Sequence, residues 1–157
     1  MMWDELDLDN GWWTIPGDRA KNGLAHRVPL ESQALQILRD IEKQANDPVF
    51  VFRGGKRGQA IANLQKRMQA LRMRSGIGDF KFHDLRRTAA SHMTGLGIPR
   101  LVVSKILNHA EQGVTAVYDR HSYDPEKRDA LARWDRRVAE IVEAQTLDKA
   151  EATTAAA

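Results

Sequence analysis

The 157-residue chain has no cysteine, two tyrosines and an aromatic content of only 6%. Without thiols there can be no disulfide, thiolate zinc site or cysteine nucleophile, although the absence fits any compartment. No run of about 18 apolar residues occurs, which is what a membrane-spanning helix needs. No charged-then-apolar leader is present, so neither a membrane span nor a signal peptide is supported, and a cytoplasmic location is expected. The loop at residues 54–58, G-G-K-R-G, lacks the G-x-x-x-x-G-K-[ST] order of a nucleotide-binding loop. No metal motif stands out, and neither a metal nor another cofactor is expected.

What is present suits one domain with a proper core: 42% of the residues are hydrophobic. The formal net charge of +3 understates the basicity of the middle. Residues 1–10 hold four acids and no base, and residues 138–157 hold four acids against Lys149. Residues 11–137 hold 23 Lys and Arg against 13 Asp and Glu, a net +10. Such a centre favours a polyanionic partner, because phosphate contacts release counterions. A merely solvated basic surface is the other reading of the charge.

Taken in order, residues 1–8, 12–15 and 26–30 alternate as short strands and predict a small antiparallel sheet. Asn22-Gly23 is a tight-turn signal that sets Lys21 at a hairpin tip. Ser32 is a candidate cap for a helix to about Ala45, with Leu35, Leu38 and Ile41 facing the core, and Pro48 ends it. Residues 49–52 read as a short apolar strand. A second helix is predicted over residues 61–74, with Ile61, Leu64, Met68 and Leu71 inward and Lys66, Arg67, Arg72 and Arg74 elsewhere. Residues 53–82 carry eight Lys or Arg against one acid, Asp79, which marks this stretch for phosphate contact. Arg19, Lys56, Arg57, Lys66, Arg67 and Arg87 are the candidate DNA-binding residues.

A third helix begins near Asp84 and stops at Gly95 or Gly97, with Leu85, Ala89 and Met93 as core and His92 as a partly buried structural histidine. Pro99 fits the first position of a helix to about Asn108, burying Val102, Val103 and Ile106. Two helices joined by G-L-G-I-P resemble a helix-turn-helix, a DNA-binding arrangement that needs no catalysis. The apolar run at residues 101–103 argues instead that the second of them packs. Asp124-Pro125 opens a last helix whose Leu131, Trp134, Val138 and Ile141 dock either on this domain or on a partner. Residues 146–157 are expected to be a frayed tail after a domain at residues 1–145. The fold class is α+β, mainly helical, with an N-terminal antiparallel sheet followed by a helical bundle.

The chemistry is concentrated in residues 82–123. His83 and Arg86 stand three apart, so one helical turn sets an imidazole beside a guanidinium, a pairing suited to a phosphate. His109 follows 26 residues after His83, and Tyr118 nine residues later, a phenol able to act as a nucleophile. Taken singly, His83 reads as a helix cap and either tyrosine as a packing residue. Together the order H-D-L-R-R, L-N-H and V-T-A-V-Y closely resembles the catalytic core of the tyrosine recombinases of the phage integrase family, across roughly residues 3–134.

That resemblance implies a tyrosine-type site-specific recombinase, of phage or prophage kind, that cleaves and rejoins DNA through a 3′-phosphotyrosyl intermediate without ATP. It makes Tyr118 the nucleophile, with Tyr123 as the decoy. It casts Arg86 and His109 as donors to the phosphate oxygens, His83 as the base or the group that orients it, and Lys21 as the acid. Lys21 matches the family's hairpin lysine, with Arg19 as the neighbour it could be confused with. The implied partners are double-stranded DNA attachment sites and other protomers in a synaptic tetramer. A type IB topoisomerase shares the chemistry, but the compact spacing from L-N-H to tyrosine favours the recombinase. The family's L-G-H is L-N-H here. The family's first catalytic arginine precedes the stretch that begins near Trp3 and has no counterpart in this sequence. The expectation is therefore a C-terminal catalytic part with impaired activity, or a non-catalytic remnant that binds DNA or a partner.

Overall fold

The alternation around the paired tryptophans sets the sheet. In the computed structural model, which describes residues 1–44, 47–109 and 121–155 and side chains through residue 147, Trp12–Ile15 (β2) lies at its centre. It pairs antiparallel with Leu6–Asp7 (β1) on one side and His26–Pro29 (β3) on the other, with Trp12 opposite Pro29 and Ile15 opposite His26. Five helices follow among the described residues: Ser32–Lys43 (α1), Leu64–Ser75 (α2), Phe82–Gly95 (α3), Arg100–Ile106 (α4) and Asp124–Ala155 (α5). The chain is thus α+β and mainly helical, with the sheet first. No helix among the described residues is long and apolar enough to cross a membrane.

Two apolar clusters hold these elements. Leu30, Leu38 and Val51 are buried between the sheet and α1, with Trp3, Leu6, Trp13, Leu35 and Ile41 packed around them. Met93, Ile98, Val102, Val103 and Ala130 form the helical core where α3, α4 and α5 meet. Helix α5 joins the two clusters. Lys127 is buried and donates to the Arg27 carbonyl at 2.9 Å while pairing with Asp124 at 2.9 Å. The guanidiniums of Arg27 and Arg128 stand 4.1 and 4.5 Å from the Trp12 ring, one from β3 and one from α5. Asp135 accepts from the Ser32 hydroxyl and from the Gln33 amide, so α5 also grips the start of α1. Leu131 and Trp134 pack on the helical core, so the last helix docks on its own domain.

Several local expectations change. The β2–β3 connection is no two-residue turn but runs over residues 16–25 and includes a 3-10 turn at Gly17–Arg19. It closes on itself: a Cβ at Gly17 would sit 2.6 Å from the Gly23 carbonyl oxygen. Ser32 is the first helical residue and Glu31 the cap, the serine hydroxyl having Asp135 as its partner. Residues 49–52 form an isolated bridge, Met2 to Phe50, and no strand. Helix α2 starts at Leu64, where the Asn63 side chain accepts from the Lys66 amide at 3.1 Å. Only its middle turn, at Met68, is covered, so Leu64 and Leu71 are exposed although their spacing matches a buried face. Leu85 is exposed too, since α3 meets the core through Ala89, Ala90 and Met93 further along. His92 is exposed, its ring 5.5 Å from that of Trp134 at the surface. Pro99 is the cap and not the first residue of α4. Residues 146–155 continue α5 where the small residues suggested a frayed tail, alanine being the best helix former.

Candidate active site

Three elements bring four side chains to the same place. Helix α3 begins at Phe82 because the Asp84 carboxylate reaches back to the Lys81 amide at 2.9 Å and lies in the positive first turn. His83 therefore sits in that first turn and Arg86 one turn on. Helix α4 ends at Ile106, and the chain reverses through Asn108, whose φ of 52° is left-handed, before His109. Asparagine is the residue that best tolerates this conformation after glycine. Lys21 arrives from the β2–β3 loop.

Lys21, Asn22, His83, Arg86, Asn108 and His109 line one open cleft of about 640 Å³. No carboxylate is among the described residues lining it, so the cleft presents cationic and polar donors to whatever enters. One N–H of Arg86 donates to the Leu107 carbonyl, and His26 donates from Nε2 to the Ile106 carbonyl at 3.2 Å. These are carbonyls at the end of α4, where helices leave acceptors unpaired. The turn that carries His109 is thereby held from α3 and from β3. Burial, chiefly, keeps the His26 pKa below its ordinary value, with the nearby Lys127 and Arg86 charges acting the same way.

The remaining candidates lie elsewhere. Lys21, and not Arg19, lines the cleft; Arg19 is paired with the buried Glu5, which also accepts from the Met2 amide at 2.9 Å and Trp13 Nε1 at 3.1 Å. Arg57 lines a separate groove beside Trp3 and Arg39. Lys56 and Arg57 belong to a loop whose shape is set by Asp47, which accepts from the amides of Val49, Phe50 and Gly58 at 3.0, 3.0 and 2.7 Å. Those three bonds hold the Asp47 carboxyl below the usual range. Lys66 and Arg67 are exposed on α2, and Arg87 is exposed on α3 with Asp84 3.6 Å away. Tyr118 lies outside the described residues. Tyr123 is not among the described residues lining the cleft; its ring makes a T-shaped pair with His121, centroids 4.7 Å apart, and lies 4.8 Å from the Lys105 ammonium.

Glu5, Asp47 and the two asparagines of the cleft are the residues that sequence reasoning passed over. Asn22 reads as half of a turn signal and Asn108 as a variant letter in L-N-H, and nothing in the sequence links positions 86 apart.

Residues 1–124 match the family model described as the phage integrase family. The chain is 32% identical over 125 residues to the tyrosine recombinase XerC of Xanthomonas campestris pv. campestris (strain B100), covering 75% of this chain and 37% of that protein. It is 30% identical over 107 residues to a tyrosine recombinase of Thermosipho africanus, covering 68% of this chain and 38% of the other. It is 26% identical over 114 residues to the integrase of Salmonella phage P22, covering 66% of this chain and 30% of that one. The chain thus spans between 30% and 38% of the length of these relatives. No solved structure matches it.

Proposed function

This chain belongs to the phage integrase family, and from that premise we propose that it carries the cleavage and rejoining chemistry of a site-specific DNA recombinase. The observation that supports this reading is the cleft itself: two imidazoles, a guanidinium and an ammonium, drawn from three elements, face one volume with no carboxylate among the described residues lining it. Transfer of a phosphodiester asks for positioned donors around the phosphoryl oxygens, and these groups are of that type.

The Tyr118 oxygen bonds to phosphorus as the bond from phosphorus to the 5′-oxygen breaks. His83 takes the phenolic proton and Lys21 gives one to the departing 5′-oxygen. Arg86 and His109 donate to the two non-bridging oxygens, where charge builds in the transition state. The product is a 3′-phosphotyrosine and a free 5′-hydroxyl; attack by another strand's 5′-hydroxyl reverses the step, so no high-energy cofactor is consumed. Arg86 is well suited to its part: one N–H fixed on Leu107 holds the planar fork in a set orientation.

Double-stranded DNA, further protomers and a phage or prophage source are parts of the same proposal. So is a rate that rises when the family's first arginine joins these donors. Loss of one such donor costs about 10²- to 10³-fold in rate. The test uses a pool of nicked duplexes of random sequence, in which a short cleaved strand diffuses away and traps the covalent adduct. Three chains are compared: this one, its Tyr118→Phe variant, and one extended upstream to include the arginine. Adduct that forms slowly, forms faster on extension and vanishes in Tyr118→Phe supports the reading. DNA binding without adduct in all three would favour the non-catalytic remnant.

A further inference from the structure

Two carboxamides share the cleft with the four groups already assigned. Asn22 Nδ2 donates to Asn108 Oδ1 at 3.0 Å, across 86 positions of sequence. The Asn22 amide is oriented for this, because its Oδ1 accepts from the Leu24 amide at 3.2 Å and leaves Nδ2 as the outward donor. Asn108 has a φ of 52°, where glycine would be the least strained choice. The side chain this chain places there reaches across to the facing loop.

Each asparagine is the chain neighbour of a cleft cation: Asn22 follows Lys21 and Asn108 precedes His109. The loop that bears Lys21 has a second tether, because Arg19 at its base pairs with the buried Glu5. Lys21 therefore lies between two fixed points, one on the sheet core and one on the turn that carries His109. An exposed amide bond adds little to global stability. Its geometric effect can be large, since a displacement of about 1 Å at a reacting group costs about 100-fold in rate.

We infer that Asn22 and Asn108 are positioning residues, whose side-chain bridge holds Lys21 and His109 in register over one phosphate. The inference rests on the phosphodiester reading above and adds the residues that couple its acid to its imidazole donor.

Asn108→Gly removes the bridge while keeping the backbone at ease, and Asn22→Ala removes it from the other side. Asn108→Asp keeps the acceptor and should behave as the unsubstituted chain in hydrogen exchange. The first readout is exchange at the amides of Gly23 and Leu24, expected to quicken about 3- to 10-fold in Asn108→Gly and Asn22→Ala with an unchanged Tm. The second is trace acetylation of Lys21, with and without inorganic phosphate, alongside the imidazole NMR shifts of His83 and His109. Phosphate should protect Lys21 in the unsubstituted chain and lose most of that protection in the two bridge-breaking variants, while both imidazoles still respond. Unchanged exchange, or undiminished protection of Lys21, overturns the inference. Loss of the imidazole responses along with the protection also overturns it, since the bridge would then only be supporting the fold. If phosphate affects no group in the unsubstituted chain, the phosphodiester reading falls and the positioning role with it, whatever the exchange shows.

Discussion

One N–H of the Arg86 guanidinium donates to the carbonyl of Leu107, two residues before His109. The bond ties the first turns of α3 to the end of α4, so the imidazole of His83 and that of His109 are referenced to a single arginine. Substituting lysine at this position keeps the charge but loses the planar fork and the orienting bond. Arg86→Lys should lower the rate of adduct formation about 10²- to 10³-fold. Its Tm should stay close to that of the parent, since the lost bond is exposed and worth only about 1 kcal/mol. A rate within threefold of the parent would show that Arg86 contributes charge alone.

The helical core gives the plainest stability prediction. Met93 is 2% exposed, and it meets Ile98, Val102 and Val103 where α3, α4 and α5 converge. Met93→Ala should cost about 2–5 kcal/mol, read from urea unfolding midpoints. Leu85→Ala, on the same helix but 49% exposed, should cost under about 1 kcal/mol. Equal costs would mean that α3 faces the core differently.

Half-buried His26 and buried Asp47 should leave separate marks on stability against pH. His26 has its pKa held below the ordinary value, so the unfolded chain takes up a proton that the folded one resists. Stability should therefore fall as pH drops below about 6.5, and His26→Gln should flatten that limb. Asp47 is depressed in the same sense but for a carboxyl: its contribution is full above about pH 4 and fades as pH falls through the depressed value. Asp47→Asn should lower stability at neutral pH and remove part of the acid limb. Urea midpoints across pH 3–8 for the three chains would check both.

DNA affinity should be electrostatic in origin, given the net +10 of residues 11–137. Log K should fall linearly with log salt concentration. If Lys66 and Arg67 both neutralise phosphates, replacing the pair with alanine should reduce the slope by about 1.8. An unchanged slope would remove α2 from the DNA-facing surface.

Much of this molecule can be read from its letters, and the exceptions have physical causes. The paired tryptophans with Ile15, and the His26–Pro29 strand, are visible because sheet pairing has a two-residue period. His83 and Arg86 are legible because one helical turn separates them, and Met93, Val102 and Val103 because they are apolar residues inside regular helices. Leu64, Leu71 and Leu85 mislead because periodicity gives the apolar face of a helix and says nothing of what covers it. Asp47 and Glu5 are hidden for another reason. A carboxylate that satisfies backbone amides or a distant arginine has no sequence period, and only the folded chain shows that it is buried. The Asn22–Asn108 bridge belongs to the same class. The letter N in L-N-H could be read as a turn variant, but its partner could not.

Which atom of the protein bonds to DNA decides the phosphotyrosyl chemistry most directly. The measurement is mass-spectrometric mapping of the peptide that carries nucleotide after trapping on the nicked pool, using the upstream-extended chain. The adduct should lie on Tyr118, through a 3′-phosphate, with a free 5′-hydroxyl on the released strand and no adduct in Tyr118→Phe. Nucleotide on Tyr123, a 5′-linked adduct, or trapping that survives Tyr118→Phe would contradict it.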